Sequence, residues 1–118
     1  MEVTDKVAWN LSEAIISQLS NLLVRANHNW LTGNFDDAFF SLRAAKMRVI
    51  QSLNPDERKA LKDIEEEFKQ IKTSKKSFPL MRIELSDLHE RYNEALMDLL
   101  EKYGYTIRKQ EDTISINV

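Results

Sequence analysis

Apolar residues recur every three or four positions along most of the chain, and the breaks in that rhythm fall at its few glycines and prolines. Two glycines and two prolines punctuate 118 residues, which leaves long runs suited to helices. The spacing predicts a first helix over residues 4–32, capped by Thr4 and stopped by Gly33. Such a helix would be ~42 Å long at a rise of about 1.5 Å per residue. A second is predicted from an Asn34 cap to Leu53, with Asp36 and Asp37 set against the positive end of the helix dipole. Asn54-Pro55-Asp56-Glu57 joins a cap, a first-turn proline and a reciprocating carboxylate, so a third helix opens there and runs to Lys72. Residues 73–78 read as the longest loop, and Pro79 restarts a fourth helix that ends at Gly104. Beyond it, β-branched residues alternate with polar ones over residues 105–118. This tail is either a short hairpin turning near Glu111 and Asp112, in need of a helix or a second chain to lie on, or a frayed end. The expected fold is all-α: an antiparallel four-helix bundle over residues 1–104, with the tail or short β-hairpin after it.

The width of each apolar face suggests who packs on whom. On helix one, Ala8, Leu11, Ile15, Leu19, Leu22 and Ala26 form one stripe, and Trp9, Ile16, Leu23 and Trp30 form a second beside it. Together they span about 200°, where a surface helix needs little more than ~100°. Helix two repeats the excess: Phe35, Ala38, Leu42, Ala45, Val49 and Leu53 make one face, while Phe40, Ala44 and Met47 sit roughly opposite. Helix three offers only the seam Ala60, Leu61, Ile64, Phe68 and Ile71, and a Glu65–Lys69 pair four residues apart sits on its charged side. Helices three and four therefore read as a solvated outer pair, with the surplus surface on helices one and two. Ordinary core packing accounts for Trp9, Ile16 and Leu23 as well as a partner does, whereas Phe40 and Met47 lie where one helix pair cannot cover both faces.

Composition narrows the chemistry. A net charge of -2 with 42% hydrophobic and 31% charged residues is that of an ordinary globular chain, not of a basic nucleic-acid protein. With no cysteine, disulfides, thiolate metal sites and cysteine nucleophiles are excluded, and a cytoplasmic setting is expected. The acidic start Met1-Glu2-Val3-Thr4-Asp5 is unlike a secretory signal, and polar residues interrupt every apolar stretch long enough to span a bilayer. His28 near the end of helix one reads as a surface residue. His89 has Ser86, not a glutamate, three residues before it, so a di-metal bundle site is not supported. Glu65-Glu66-Glu67 reads as a solvated face. Two glycines cannot build a phosphate-cradling loop, and no serine sits in a nucleophile-elbow context. Neither a metal, a cofactor nor a small-molecule substrate is expected. Arg43, Lys46, Lys75 and Lys76 are the cations that could meet a polyanion.

Trp30, Gly33, Asn34, Phe35, Ala38, Leu42 and Ala45 resemble the middle of a tetratricopeptide unit, which implies a tight antiparallel helical hairpin. It departs from that family in having Ile50 where a proline is expected. Trp30-Leu31-Thr32-Gly33-Asn34-Phe35, then Phe39-Phe40 and Leu42, residues 50–53 and Asp56-Glu57-Arg58, with residues 99–104 at the close, resemble small helical proteins of unknown function encoded by tailed bacteriophages. That resemblance implies the host cytoplasm and supplies no catalytic residue. The leading expectation is a non-enzymatic protein-interaction or assembly module, self-associating through helices one and two by way of Phe40, Met47, Ala44, Trp9 and Ile16, with strand exchange by the tail as a further route. The alternatives are a nucleic-acid-associated regulator using the four cations, and a helical enzyme with a site at His89 and Tyr92.

Overall fold

The computed structural model describes residues 11–110 and 113–117. Its first helix, α1, spans Glu13–Leu31. Ser12 has extended backbone, φ −69° and ψ 159°, and its hydroxyl accepts a hydrogen bond from the Ile15 N–H at 3.2 Å. An N-cap there excludes one helix running from Thr4 to Thr32 and shortens α1 to ~28 Å. Thr4 lies outside the described residues.

Helix α1 ends where expected. The Gly33 N–H donates to the Trp30 carbonyl and the Asn34 N–H to the Asn29 carbonyl, with Gly33 at φ 85°. That pair of bonds is the Schellman ending, which needs a left-handed residue at its glycine. Helix α2 follows at Phe35–Val49. Asn34 does not cap it with its side chain, because its amide donates to the Thr32 hydroxyl at 3.3 Å. The α-helical part also stops short of Leu53: a 3₁₀ turn, Ile50–Ser52, tightens the chain before Leu53 extends.

Helix α3, Pro55–Thr73, opens with both halves of a capping box between Asn54 and Glu57. Helix α4, Phe78–Lys102, carries Pro79 in its first turn and closes on Gly104 with the same bond pair as α1. Strands β1, Thr106–Lys109, and β2, Ile114–Asn117, pair antiparallel with Ile107 opposite Ile116. The hairpin finds its support within the chain, β2 on α1 and β1 on α4. Ile114 and Ile116 are buried, the Ser20 hydroxyl donates to the Ile114 carbonyl, and the Leu11 N–H donates to the Tyr105 hydroxyl at 3.0 Å.

Packing corrects the expected layering. Helix α4 buries Leu85, Leu88, His89, Tyr92, Leu96 and Leu100, whereas α3 buries only Leu61. The fourth helix is thus central and the third alone is outer. Its acids and Arg91 obscured this, because charge on one side of a 25-residue helix leaves a full apolar stripe on the other. Helix α2 is the other central element, pairing with α1 across Ala26, Ala38 and Ala45, whose small side chains permit close approach. Helices α2 and α3 stand further apart and are joined by side chains rather than by closely packed backbones.

Candidate functional site

Helix α2 separates its residues into two sharply different sides. Ala38, Phe39, Ser41, Leu42, Ala45, Lys46 and Val49 are buried. Phe40, Arg43, Met47 and Arg48 are exposed and Ala44 is half-buried among them. Phe40 is 67% exposed and Met47 49%, which is unusual for side chains whose burial would each be worth about 1.5–3 kcal/mol. These five residues line a shallow apolar depression of about 330 Å³. Arg48 is steadied at its edge by Gln18 of α1, 2.7 Å away.

Phe40 also forms the near wall of a larger groove, about 480 Å³, in the gap between α2 and α3. Its apolar lining is Phe39 and Phe68, stacked with centroids 4.1 Å apart. Its polar lining centres on Glu65, whose side chain is only 14% exposed. Glu65 Oε2 accepts from the Lys46 ammonium at 2.5 Å and from the Tyr92 hydroxyl at 2.7 Å, and Oε1 lies 3.8 Å from Arg43. Burial, then the Glu65 carboxylate beside it, pushes the Tyr92 hydroxyl far above its ordinary range, so it stays a donor at every working pH. A carboxylate held by two donors with a guanidinium nearby braces α2, α3 and α4 together.

The residues expected to bind a partner divide accordingly. Phe40, Ala44 and Met47 come together on the open stripe of α2. Ile16 is half-buried and packs against the main core, so α1 does not offer it as a free face. Trp9 lies outside the described residues. Leu23 is fully buried. Four further apolar side chains, Leu31, Phe78, Leu80 and Ile83, are exposed at the end of α1 and the first turns of α4, and the periodicity did not single them out.

The expected polyanion contacts do not make one cationic surface. Lys46 is 7% exposed and committed to Glu65, so it cannot reach a phosphate. Arg43, Lys75 and Lys76 are exposed, but Lys76 pairs with Glu84 at 2.6 Å and Arg43 lies 3.8 Å from Glu65. Glu65 belongs to this buried cluster and not to a solvated face, and Lys69 pairs with Glu66 rather than with Glu65. Position signalled this: Glu65 follows Leu61 by one turn and adjoins Ile64, and a buried tyrosine on the facing helix needs a hydroxyl partner.

His89 is buried, stacked on Trp30 with centroids 4.9 Å apart and planes 19° from parallel. It lines a small cleft with Asn27 and Asn93 that Tyr92 does not share, so the two residues do not form a joint catalytic site. Among the described residues, no helix is long and apolar enough to cross a membrane. No protein-family model, curated protein or solved structure matches the chain.

Proposed function

We propose that the chain is a non-enzymatic protein-interaction module that self-associates through the outer face of α2. The observation that carries this reading is the pair Phe40 and Met47, exposed one on either side of Ala44 on a helix whose other side is fully packed. They stand seven positions apart, two helical turns, which is the spacing of anchors that a partner helix reads. The small Ala44 between them lets that helix come close. Charge on α2 favours a second copy laid antiparallel: Asp37 stands at one end of the stripe, beside Asp36 that pairs with Lys72, and Arg48 stands at the other, so a two-fold arrangement sets unlike ends together.

Support for a nucleic-acid reading is thinner, since three of its four cations face carboxylates, Arg43 and Lys46 at Glu65 and Lys76 at Glu84. Sedimentation equilibrium across the micromolar range tests the proposal. The parent should show a reversible monomer–dimer equilibrium, and Phe40→Asp or Met47→Asp should shift it to monomer without loss of helicity. A parent that stays monomeric throughout, or an aspartate variant that dimerises like the parent, would refute it.

A further inference from the structure

Away from α2, exposed apolar side chains gather at one end of the bundle. Leu31 closes α1, and Phe78, Leu80 and Ile83 belong to the first two turns of α4. All four are between 49% and 74% exposed. Three contacts bring these helix ends together: Trp30 against Phe35 with centroids 4.4 Å apart, the Arg82 guanidinium 5.6 Å over the Phe35 ring, and Lys72 paired with Asp36 at 2.9 Å. The end of α1, the start of α2, the end of α3 and the start of α4 therefore share one pole of the molecule. At about 100° per residue, Phe78, Ile83 and Leu80 fan across roughly 200° of α4, with Ile83 opposite the buried Leu85 and Leu88. None of them lines either concavity on α2. A rigid partner would need a separate socket for each of these splayed side chains, whereas a fluid acyl phase closes round them all.

Charge at this pole narrows the partner further. Residues 70–83 hold Lys72, Lys75, Lys76 and Arg82 and no acid, in a chain whose net charge is -2. The carboxylates on the neighbouring turns are Asp36, Asp37 and Glu84, and Lys72 pairs with Asp36 and Lys76 with Glu84. Lys75 and Arg82 are left over, and among the described residues no carboxylate lies within ion-pair distance of either. Only Asp37 opposes them, so the apolar tip sits in a cationic excess. Apolar side chains set among lysine and arginine suit an anionic bilayer surface, where the first enter the headgroup boundary and the second meet lipid phosphates. A second copy fits this pole poorly, because a two-fold contact would set the excess against itself.

We propose that this pole docks on an anionic lipid bilayer, with Leu31, Phe78, Leu80 and Ile83 at the headgroup boundary and Lys75 and Arg82 on the lipid phosphates. The contact is peripheral, as no helix among the described residues is long and apolar enough to cross. It uses no residue of the outer face of α2, so it stands or falls apart from self-association.

Flotation of the full chain with vesicles through a density gradient tests the docking. The parent should float with vesicles of mixed phosphatidylcholine and phosphatidylglycerol at low salt and bind pure phosphatidylcholine at least about tenfold more weakly, a difference that shrinks as salt rises. Lys75→Glu should weaken binding to the anionic vesicles about tenfold or more, and Phe78→Ser with Ile83→Ser by a larger factor. Helicity should hold in both, because all three side chains face solvent. Phe40→Asp should float like the parent. A parent that does not float at low salt, equal affinity for charged and uncharged vesicles, or either pole variant floating like the parent would each overturn the proposal. So would loss of flotation in Phe40→Asp. A parent that fails to float but forms a dimer abolished by Phe78→Ser with Ile83→Ser, and kept in Phe40→Asp, would overturn it in favour of a second copy at this pole.

Discussion

Tyr92, with no exposed surface, donates its hydroxyl to Glu65 Oε2 at 2.7 Å, tying the central helix α4 to the outer helix α3 across 27 residues of sequence. The same oxygen accepts from Lys46, so one carboxylate joins three helices around the α2–α3 gap. Removing it strands a lysine that is 7% exposed together with a buried hydroxyl. Glu65→Ala is therefore expected to destabilise the chain by about 3–5 kcal/mol, as loss of one partner of a buried pair does. The double change Lys46→Met with Glu65→Leu removes both charges and should be markedly less damaging than Glu65→Ala alone. Urea unfolding of the three proteins measures the difference. A loss below about 1 kcal/mol in Glu65→Ala would mean that the carboxylate is solvated after all.

Periodicity made the four helices legible, and punctuation made most of their ends legible. Gly33, Gly104 and the Asn54–Glu57 box each act through local backbone geometry, which neighbouring residues alone determine. Ser12 was missed because an N-cap serine within an apolar rhythm looks the same as a tolerated polar residue. The exposed apolar side of α2 was also legible, since Phe40 and Met47 fall opposite its core stripe whatever the other helices do. The burial of Lys46 and His89 was not, and for Glu65 the neighbouring Leu61 and Ile64 marked the face but not the partners. Each depends on a residue on another element, 19 positions away for Lys46 and Glu65, and helical spacing carries no information about such pairs. The central place of α4 was hidden for the same reason: a stripe shows that a helix packs, not how many neighbours it has.

His89 gives the chain a specific pH dependence. Burial, with a lesser push from the Lys109 charge, lowers its pKa from 6.5 to about 4 against the opposing pull of the Ala26 backbone. As pH falls, the unfolded chain takes up this proton before the folded one does, so His89 favours the fold fully above pH 6.5 and progressively less down to about 4. The full swing is about 3 kcal/mol, at 1.36 kcal/mol per pH unit. Stability measured in chloride buffer should show this slope, and His89→Leu should flatten it. Lys109→Met should narrow the window by raising the folded value. An unchanged slope in His89→Leu would place the titration elsewhere.

Glu57 acts in a lower window. Burial raises its carboxyl, but hydrogen bonds from Lys102, the Asn54 backbone and Tyr103 outweigh burial and hold it below its ordinary value of 4.5. A depressed folded value contributes stability above pH 4.5 that is lost as pH falls through the folded value. Glu57→Ala keeps the Asn54 side-chain cap but removes the reciprocal bond from the Asn54 N–H and one acceptor of the Tyr103 hydroxyl, for an expected loss of about 1–2 kcal/mol at neutral pH and a shallower acid transition below 4.5. Lys102→Met should cost less than Glu57→Ala, because its ammonium is 44% exposed and the Asn54 N–H and Tyr103 hydroxyl still hold the Glu57 carboxylate. If the lysine change proved as costly as the glutamate change, the ion pair rather than the cap would be what matters.

Phe39 and Phe40 are adjacent in sequence and opposite in role, which separates folding from association within one dipeptide. Phe39 is 6% exposed, stacked on Phe68 and edge-on to Tyr92 with centroids 5.1 Å apart. Truncating it leaves a cavity where α2, α3 and α4 meet, so Phe39→Ala should cost about 3–5 kcal/mol. Phe40 loses little on folding because most of its ring already faces water, and Phe40→Ala should stay within about 0.5 kcal/mol of the parent. In the proposed dimer that order reverses: the Phe40 change should weaken association by about tenfold or more, as truncation of an anchoring aromatic does. Chemical denaturation at low concentration isolates the first effect, and sedimentation equilibrium at high concentration isolates the second. A Phe40→Ala protein as destabilised as Phe39→Ala would show that the ring is buried in the folded monomer, and the outer face of α2 would then have no anchor left to offer a second copy.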